Sequence, residues 1–294
     1  VKSIELSAGT IEYEDTGGDG PVVVLLHGLL MDESLWTEVV AELRADHRCV
    51  VPVLPLGAHT HPVRDGTDLS MRGIAKLVAE FLQRLDLRDV VLAGNDTGGA
   101  LVQLLACDDP SRLGGIALIS CDAFDNFPPG LTGKTLVMTG KLAPTMFGLF
   151  MQQLRMKPAR RMPISFGWLT KRGDAVVKGW LKPVLKNAGV RRDTVKVLRA
   201  ISADRKLLVG VADRLSSFDR PALVVWAERD RVMPPEHGQR LAEMLPQGRL
   251  VEVQDSYTLI PLDQPLALAR CIRGFTQPLR HSDRSQETGP RQEN

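Results

Sequence analysis

The sequence predicts an α/β fold, in which a mostly parallel central sheet is flanked by helices and interrupted by an inserted helical cap. Three observations carry that prediction. Short apolar runs at 22–26, 90–93 and 115–120 read as buried strands. They alternate with segments whose apolar residues recur at helical spacing, at 35–43 and 69–85. From 122 to about 217 the rhythm changes to helical pieces broken by Gly and Pro, among them Phe127-Pro128-Pro129-Gly130, Lys157-Pro158 and Met162-Pro163, before the strand pattern resumes.

Residues 4–7 and 10–15 alternate around Gly9 as a hairpin would, and 22–26 follows as a central strand. Ser34 is placed to cap a helix carrying Leu35, Val39, Val40 and Leu43 on one face, and 49–54 returns as a strand. Ser70 stands near the start of the amphipathic stretch 69–85, strand 90–93 follows, and a helix begins by 100–106. After strand 115–120 and the cap come strand 221–227, helix 236–245, strand 249–253 and helix 264–275. The expected organisation is a core from 1–121 and 216–276, a cap at 122–215, and a polar, disordered tail at 277–294. In such a sheet, ligands lie beyond the carboxyl ends of the strands, so the loops there carry the candidate chemistry.

Composition narrows the class. Apolar residues at 44% and charged residues at 24% are ordinary for a soluble protein, and no apolar run approaches the roughly 20 residues of a membrane span. Residues 1–10 lack the apolar stretch of a signal peptide, and the four cysteines are scattered without CxxC spacing, so a cytoplasmic protein with free thiols is expected. No metal-ligand spacing and no nucleotide motif occurs, so no cofactor and no metal are expected. The net charge of +2 hides an asymmetry: 122–215 holds 18 Lys and Arg against 6 Asp and Glu, about +12, leaving about −10 elsewhere. A solvated helical face accounts for this, and so does attraction of an anionic small molecule or an acidic carrier protein. Nucleic acid is disfavoured because no stacking aromatics interleave with the basic residues. The expected partner is a small-molecule substrate, with no nucleic acid and no membrane; the oligomeric state stays open, a homodimer being one option.

The central motif is Gly94-Asn95-Asp96-Thr97-Gly98-Gly99, set between a strand and the helix after it. A sharp strand-to-helix turn holds its middle residue in a strained conformation, and small neighbours let the helix start approach the strand. Asp96 is thereby pushed out above the sheet.

With that turn and the upstream His27-Gly28, the chain resembles the α/β-hydrolase superfamily, and Asp96 at the elbow resembles the haloalkane dehalogenase and epoxide hydrolase branch. The resemblance covers most of residues 10–276. It implies an oxyanion hole from the backbone N–H groups of Leu29 and Thr97, and a catalytic acid in Ala227-Glu228-Arg229-Asp230, at Asp230. Asp122 is a second candidate acid, because some members place it after the preceding strand. Alternatively, Asp230 is a surface charge that caps a helix.

The resemblance breaks at the histidine. The family's last loop reads D-S-G-H-F-P, whereas this chain has Asp255-Ser256-Tyr257-Thr258-Leu259-Ile260-Pro261, with Thr258 in the histidine's place. In the Asp-nucleophile mechanism a carboxylate attacks carbon to give an ester, and His activates the water that cleaves it. A threonine does not titrate near neutrality and cannot take that proton. The halide-binding Trp and Asn positions hold Thr97 and Leu29, and the cap contains no Tyr to protonate an epoxide. Among other histidines, His59 leaves the sheet at its functional edge and could reach the pocket, while His27 more naturally supports its own turn.

The expected pocket comprises His27, Gly28, Trp36, His59, Asp122, Trp168, Trp180 and Tyr257 around the catalytic Asp96, Asp230 and Thr258. The expected function is a non-hydrolytic enzyme of specialised, polyketide-type metabolism. In it Asp96, its pKa raised in an apolar pocket, moves protons during cyclisation, carbon–carbon bond formation, elimination or isomerisation of a bulky, hydrophobic, aromatic or anionic molecule. The alternatives are an epoxide hydrolase or dehalogenase with Asp96 as nucleophile, and a small-molecule binding protein without catalysis.

Overall fold

The computed structural model describes residues 1–287, with side chains described through 277. Strands β1 (Lys2–Leu6) and β2 (Gly9–Asp15) form the expected hairpin, and β3 (Val22–Leu26) lies at the centre of the sheet. Helix α1 (Thr37–Leu43) and strand β4 (Arg48–Pro52) follow, then α2 (Met71–Arg84), β5 (Val90–Asp96), α3 (Thr97–Asp108) and β6 (Leu113–Cys121). The sheet order is β1-β2-β4-β3-β5-β6, completed by β7 (Ala222–Ala227) and β8 (Gly248–Val253). Strand β2 is antiparallel to both of its neighbours, β1 and β4; from β4 through β3, β5, β6, β7 and β8 every pairing is parallel, as helical crossovers require. Burial on both faces explains why Val23, Val24, Leu25 and Leu26 form a continuous apolar run without alternation.

Local capping follows side-chain chemistry. Ser70 accepts from the Gly73 N–H and starts α2. Ser34 does not cap α1: the acceptor is Asp32, which takes the Ser34 N–H at the head of a 3-10 turn (Glu33–Trp36), a carboxylate two residues earlier outcompeting the hydroxyl. The turn delivers Trp36 into the core instead of toward the sheet edge.

Between β6 and β7 lie α4 (Gly130–Thr139), α5 (Pro144–Gln152), a short turn (Gln153–Arg155), α6 (Lys157–Arg160), α7 (Asp174–Lys186), α8 (Ala188–Ala203) and α9 (Leu207–Leu215). The helices α4 to α8 pack mainly on one another, α4, α5 and α7 all touching α8. By contrast α9 lies against α3 of the core, where Arg214 bonds Asp108 and the Cys107 carbonyl. The inserted unit therefore separates from the core before α9.

The chain closes with α10 (Pro235–Met244), α11 (Ile260–Asp263) and α12 (Pro265–Glu287). A disordered tail was expected from 277, but the helical backbone of α12 continues to Glu287. Extending a formed helix adds one hydrogen bond per residue fixed, and packing of Leu268, Ala269 and Ile272 provides the nucleus. The remainder of that expected tail, 288–294, lies outside the described residues. Among the described residues no helix is long and apolar enough to cross a membrane.

Candidate active site

Asp96 ends β5 and begins α3 with φ 55° and ψ −129°, a conformation costing a non-glycine residue on the order of 1–3 kcal/mol. The surroundings enforce it. A Cβ at Gly94 would come within 2.4 Å of Gly98 backbone atoms, and one at Gly28 within 2.1 Å of Asp96 Oδ2. Hydrogen at both positions lets the helix sit on the strand and the carboxylate lie against the His27-Gly28 turn.

The backbone N–H groups of Leu29 and Thr97 act on the Asp96 carboxylate, favouring its charged form. Burial pushes Asp96 up to about 6, with these two donors opposing the shift. Beneath it, the Thr97 hydroxyl stands 3.0 Å from Asp122 Oδ2 and 3.4 Å from Asp96 Oδ2. Burial, reinforced by the Asp96 charge, raises the pKa of Asp122 well above the usual carboxylate range. A hydroxyl between two carboxyl groups of unequal acidity can hand a proton from one to the other.

Asp230 sits in the loop after β7, where Oδ1 accepts the N–H groups of Val232 (2.9 Å) and Met233 (2.8 Å) and the Thr258 hydroxyl (2.7 Å). The residue is half-buried and held by three donors, not a free surface charge; desolvation raises its pKa, and the two N–H donors offset part of that. Thr258, fully buried, occupies the loop after β8, and its carbonyl accepts from Asn95 Nδ2 at 2.8 Å. The same amide reaches the Ile119 carbonyl at 2.9 Å, tying the elbow strand, the end of β6 and the last loop together.

A cavity of about 170 Å³ opens above Asp96. From the core it is lined by Leu29, Leu30, Met31, Asp96, Thr97 and Val232; from the inserted helices by Thr132, Leu136, Phe150, Met151, Met162, Phe166 and Leu169, among others. The Ser165 hydroxyl also lines it, buried and without a hydrogen-bond partner among the described residues. Among the described residues no Lys or Arg belongs to the lining, so the basic charge of the insertion acts on a ligand at a distance.

Other residues expected in the pocket lie outside this lining, each for a visible reason. The His27 ring faces its own Gly28 carbonyl through Nδ1 (2.9 Å) and accepts the Leu54 N–H on Nε2 (2.9 Å); burial holds it neutral by lowering its pKa to about 4. His59 turns toward the insertion, with Nδ1 3.3 Å from the Gly57 N–H and Nε2 3.5 Å from Asp193 of α8. Gly28 and Asp122 support the elbow from beside and below. Trp36 is fully buried, Trp180 donates to Ser34 Oγ (2.8 Å) and packs on Phe166, and Trp168 joins the apolar core at its edge. Tyr257 is held under Lys171 and Arg231, whose cations stand 5.1 and 4.5 Å from its ring. Sequence reasoning missed the lining from α4, α5 and 159–169. Periodicity marked these residues as helical, but which helix face covers the sheet edge depends on tertiary packing.

A doubly wound sheet with an acidic elbow, two N–H donors upon it and a half-buried acid in the loop after β7 defines a class. The chain belongs to the α/β-hydrolase fold family, which matches residues 21–265. It is 26% identical over 270 residues to haloalkane dehalogenase 2 of Mycobacterium tuberculosis, covering 90% of this chain and 91% of that one. Among solved structures it is similar to an ancestral haloalkane dehalogenase, with TM-score 0.77 and 19% identity over 96% of this chain and 100% of the other. It is also similar to a thermophilic esterase of Thermogutta terrifontis, with TM-score 0.74 and 22% identity over 95% and 99% of the two chains.

Proposed function

We propose that this α/β-hydrolase-type enzyme uses Asp96 to carry protons on a bulky hydrophobic substrate and does not complete ester hydrolysis. One observation carries the reading: Thr258 occupies the histidine's place and donates its hydroxyl to Asp230, so the acid orients a group that cannot serve as a base. Among the described residues no histidine lines the cavity. An Asp96 with a pKa of about 6 is divided between acid and base near neutrality, and the Asp122–Thr97 pair can resupply its proton. The cavity lining favours an apolar body, and the unpartnered Ser165 hydroxyl favours a substrate with one polar group near the inserted helices. Cyclisation, isomerisation, elimination and carbon–carbon bond formation are the fitting reaction classes, with tailoring of polyketide-like skeletons as the setting.

A second reading has its own support. Two N–H donors on Asp96 would equally steady an attacking carboxylate, and a relative is named as a dehalogenase. Turnover of a panel of epoxides, haloalkanes and apolar carbon acids in ¹⁸O-water separates the two. Hydrolysis through an ester leaves ¹⁸O in the Asp96 carboxylate, visible by peptide mass. Proton transfer leaves the peptide mass unchanged while deuterium from D₂O enters the substrate in the wild type and not in Asp96→Asn. Heavy oxygen at Asp96 overturns the proposal.

A further inference from the structure

Between Asp125 and Asp174 the chain has 48 residues without one Asp or Glu, and eight Lys and Arg. The same stretch contains most of the large apolar side chains that the molecule leaves in solvent. Leu131 and Met138 on α4, Met146 and Leu149 on α5, and Met156 are 53–64% exposed. On α5 the solvent face is apolar as well as the buried one: Met146, Leu149 and Phe150 stand exposed at i, i+3 and i+4 while Phe147 and Met151 are buried, so the helix lacks the charged outer face of the usual amphipathic arrangement. Phe150 and Gln153 at one end of that face line the cavity, as do the exposed Met162 and Ile164. The apolar face and the cavity mouth are therefore continuous. Lys134, Lys141, Arg155 and Lys157 stand exposed among these residues.

We propose that this face docks peripherally on an anionic lipid surface, with α4 and α5 lying at the headgroup level and the cavity mouth turned toward the bilayer. Apolar side chains on short helices enter the acyl boundary while flanking cations meet lipid phosphates. Each cation held at an anionic surface raises binding about fivefold, so four acting together outweigh what scattered surface lysines supply. A second copy of the chain fits less well. A two-fold interface would set the acid-free face against itself, cation against cation. Substrate would then enter from the membrane, a route suited to the apolar lining, and the docking does not depend on the chemistry at Asp96.

Co-flotation of the full chain with vesicles tests this, using phosphatidylcholine alone and phosphatidylcholine mixed with phosphatidylglycerol. The anionic vesicles are expected to bind at least about tenfold more protein, and the gain should fade as salt is raised. Met146→Glu and Leu149→Glu, both on the solvent side and outside the cavity lining, should lower binding by about tenfold with an unchanged thermal midpoint. A charge-reducing pair, Lys134→Gln with Lys157→Gln, should flatten the salt dependence while leaving the apolar face intact. Absence of binding to either vesicle, equal binding to both, or a wild-type dimer that Leu149→Glu splits into monomers overturns the proposal.

Discussion

Thr258 gives its hydroxyl proton to Asp230 across 2.7 Å, in the arrangement where an acid would otherwise steady an imidazole. Asp230 also accepts two backbone N–H groups, and the threonine beside it does not titrate near neutrality.

Restoring the imidazole should restore the missing step. Thr258→His is expected to confer or raise hydrolysis of simple esters or epoxides by roughly 10²–10⁴-fold, the usual reach of a general base. Because residue 258 is fully buried, the larger ring should cost about 1–3 kcal/mol through overpacking, seen as a lower Tm. Initial rates against a chromogenic ester, with and without the substitution, check the gain.

Asp230 should matter for folding whether or not it touches substrate. Asp230→Ala strands two backbone N–H groups and a hydroxyl, at about 1–3 kcal/mol for each buried donor left unpaired. Even at the lower end, about 3 kcal/mol for the three donors together, a Tm loss of at least roughly 6–12 °C follows for a chain of this size. Asp230→Asn retains an oxygen acceptor and should lose less, and thermal melts of both variants check the order.

Activity should rise with pH through about 6 if deprotonated Asp96 is the working base, since burial lifts its pKa to about 6. Thr97→Val removes a hydroxyl that lowers that pKa, so the rising limb should move to higher pH. A pH profile of both proteins checks the direction.

Stability should respond to the same carboxyl group with a defined sign. A folded pKa above the unfolded value means the folded state holds the proton longer. The contribution is complete below about pH 4 and is lost as pH rises toward about 6. Asp46, lowered to about 2 by Arg273, acts oppositely, and its contribution is lost only as pH falls through that value. Asp96→Asn should therefore be stabilised relative to wild type more at pH 7 than at pH 4, measured by denaturant midpoints.

Asp193 should act on the joint between insertion and core. It accepts the Val63 N–H at 3.0 Å and faces His59 at 3.5 Å, linking α8 to the loop after β4. Asp193→Ala should cost about 1–3 kcal/mol for the orphaned N–H, lowering Tm without moving the pH limb assigned to Asp96.

Local sequence announced what local physics determines. The elbow at Asp96 was legible because strained backbone and close helix approach demand glycines at 94 and 98, and Thr258 because its loop keeps fixed spacing to Gln264-Pro265. The tryptophans were harder. Trp36 and Trp180 are apolar at helical positions, and nothing in their spacing separates a core side chain from a pocket wall; the burial of both, with Trp180 against Phe166 and Ser34, is a tertiary outcome. His59 shares this ambiguity, since leaving a strand at the functional edge fixes the loop but not the direction of its ring. The expectation of no membrane partner rested on the lack of a spanning run. That lack says nothing of exposed apolar side chains such as Met146 and Leu149, whose exposure is a tertiary outcome that spacing alone does not give.

Asn95 grips the last loop by the main-chain oxygen of Thr258, not by its side chain. The anchorage is thus indifferent to residue type, and whichever amino acid is encoded at 258 is delivered to the same spot beside the acid. A change of side chain there leaves this anchor in place, so its cost falls on the packing around residue 258 and not on the route of the loop.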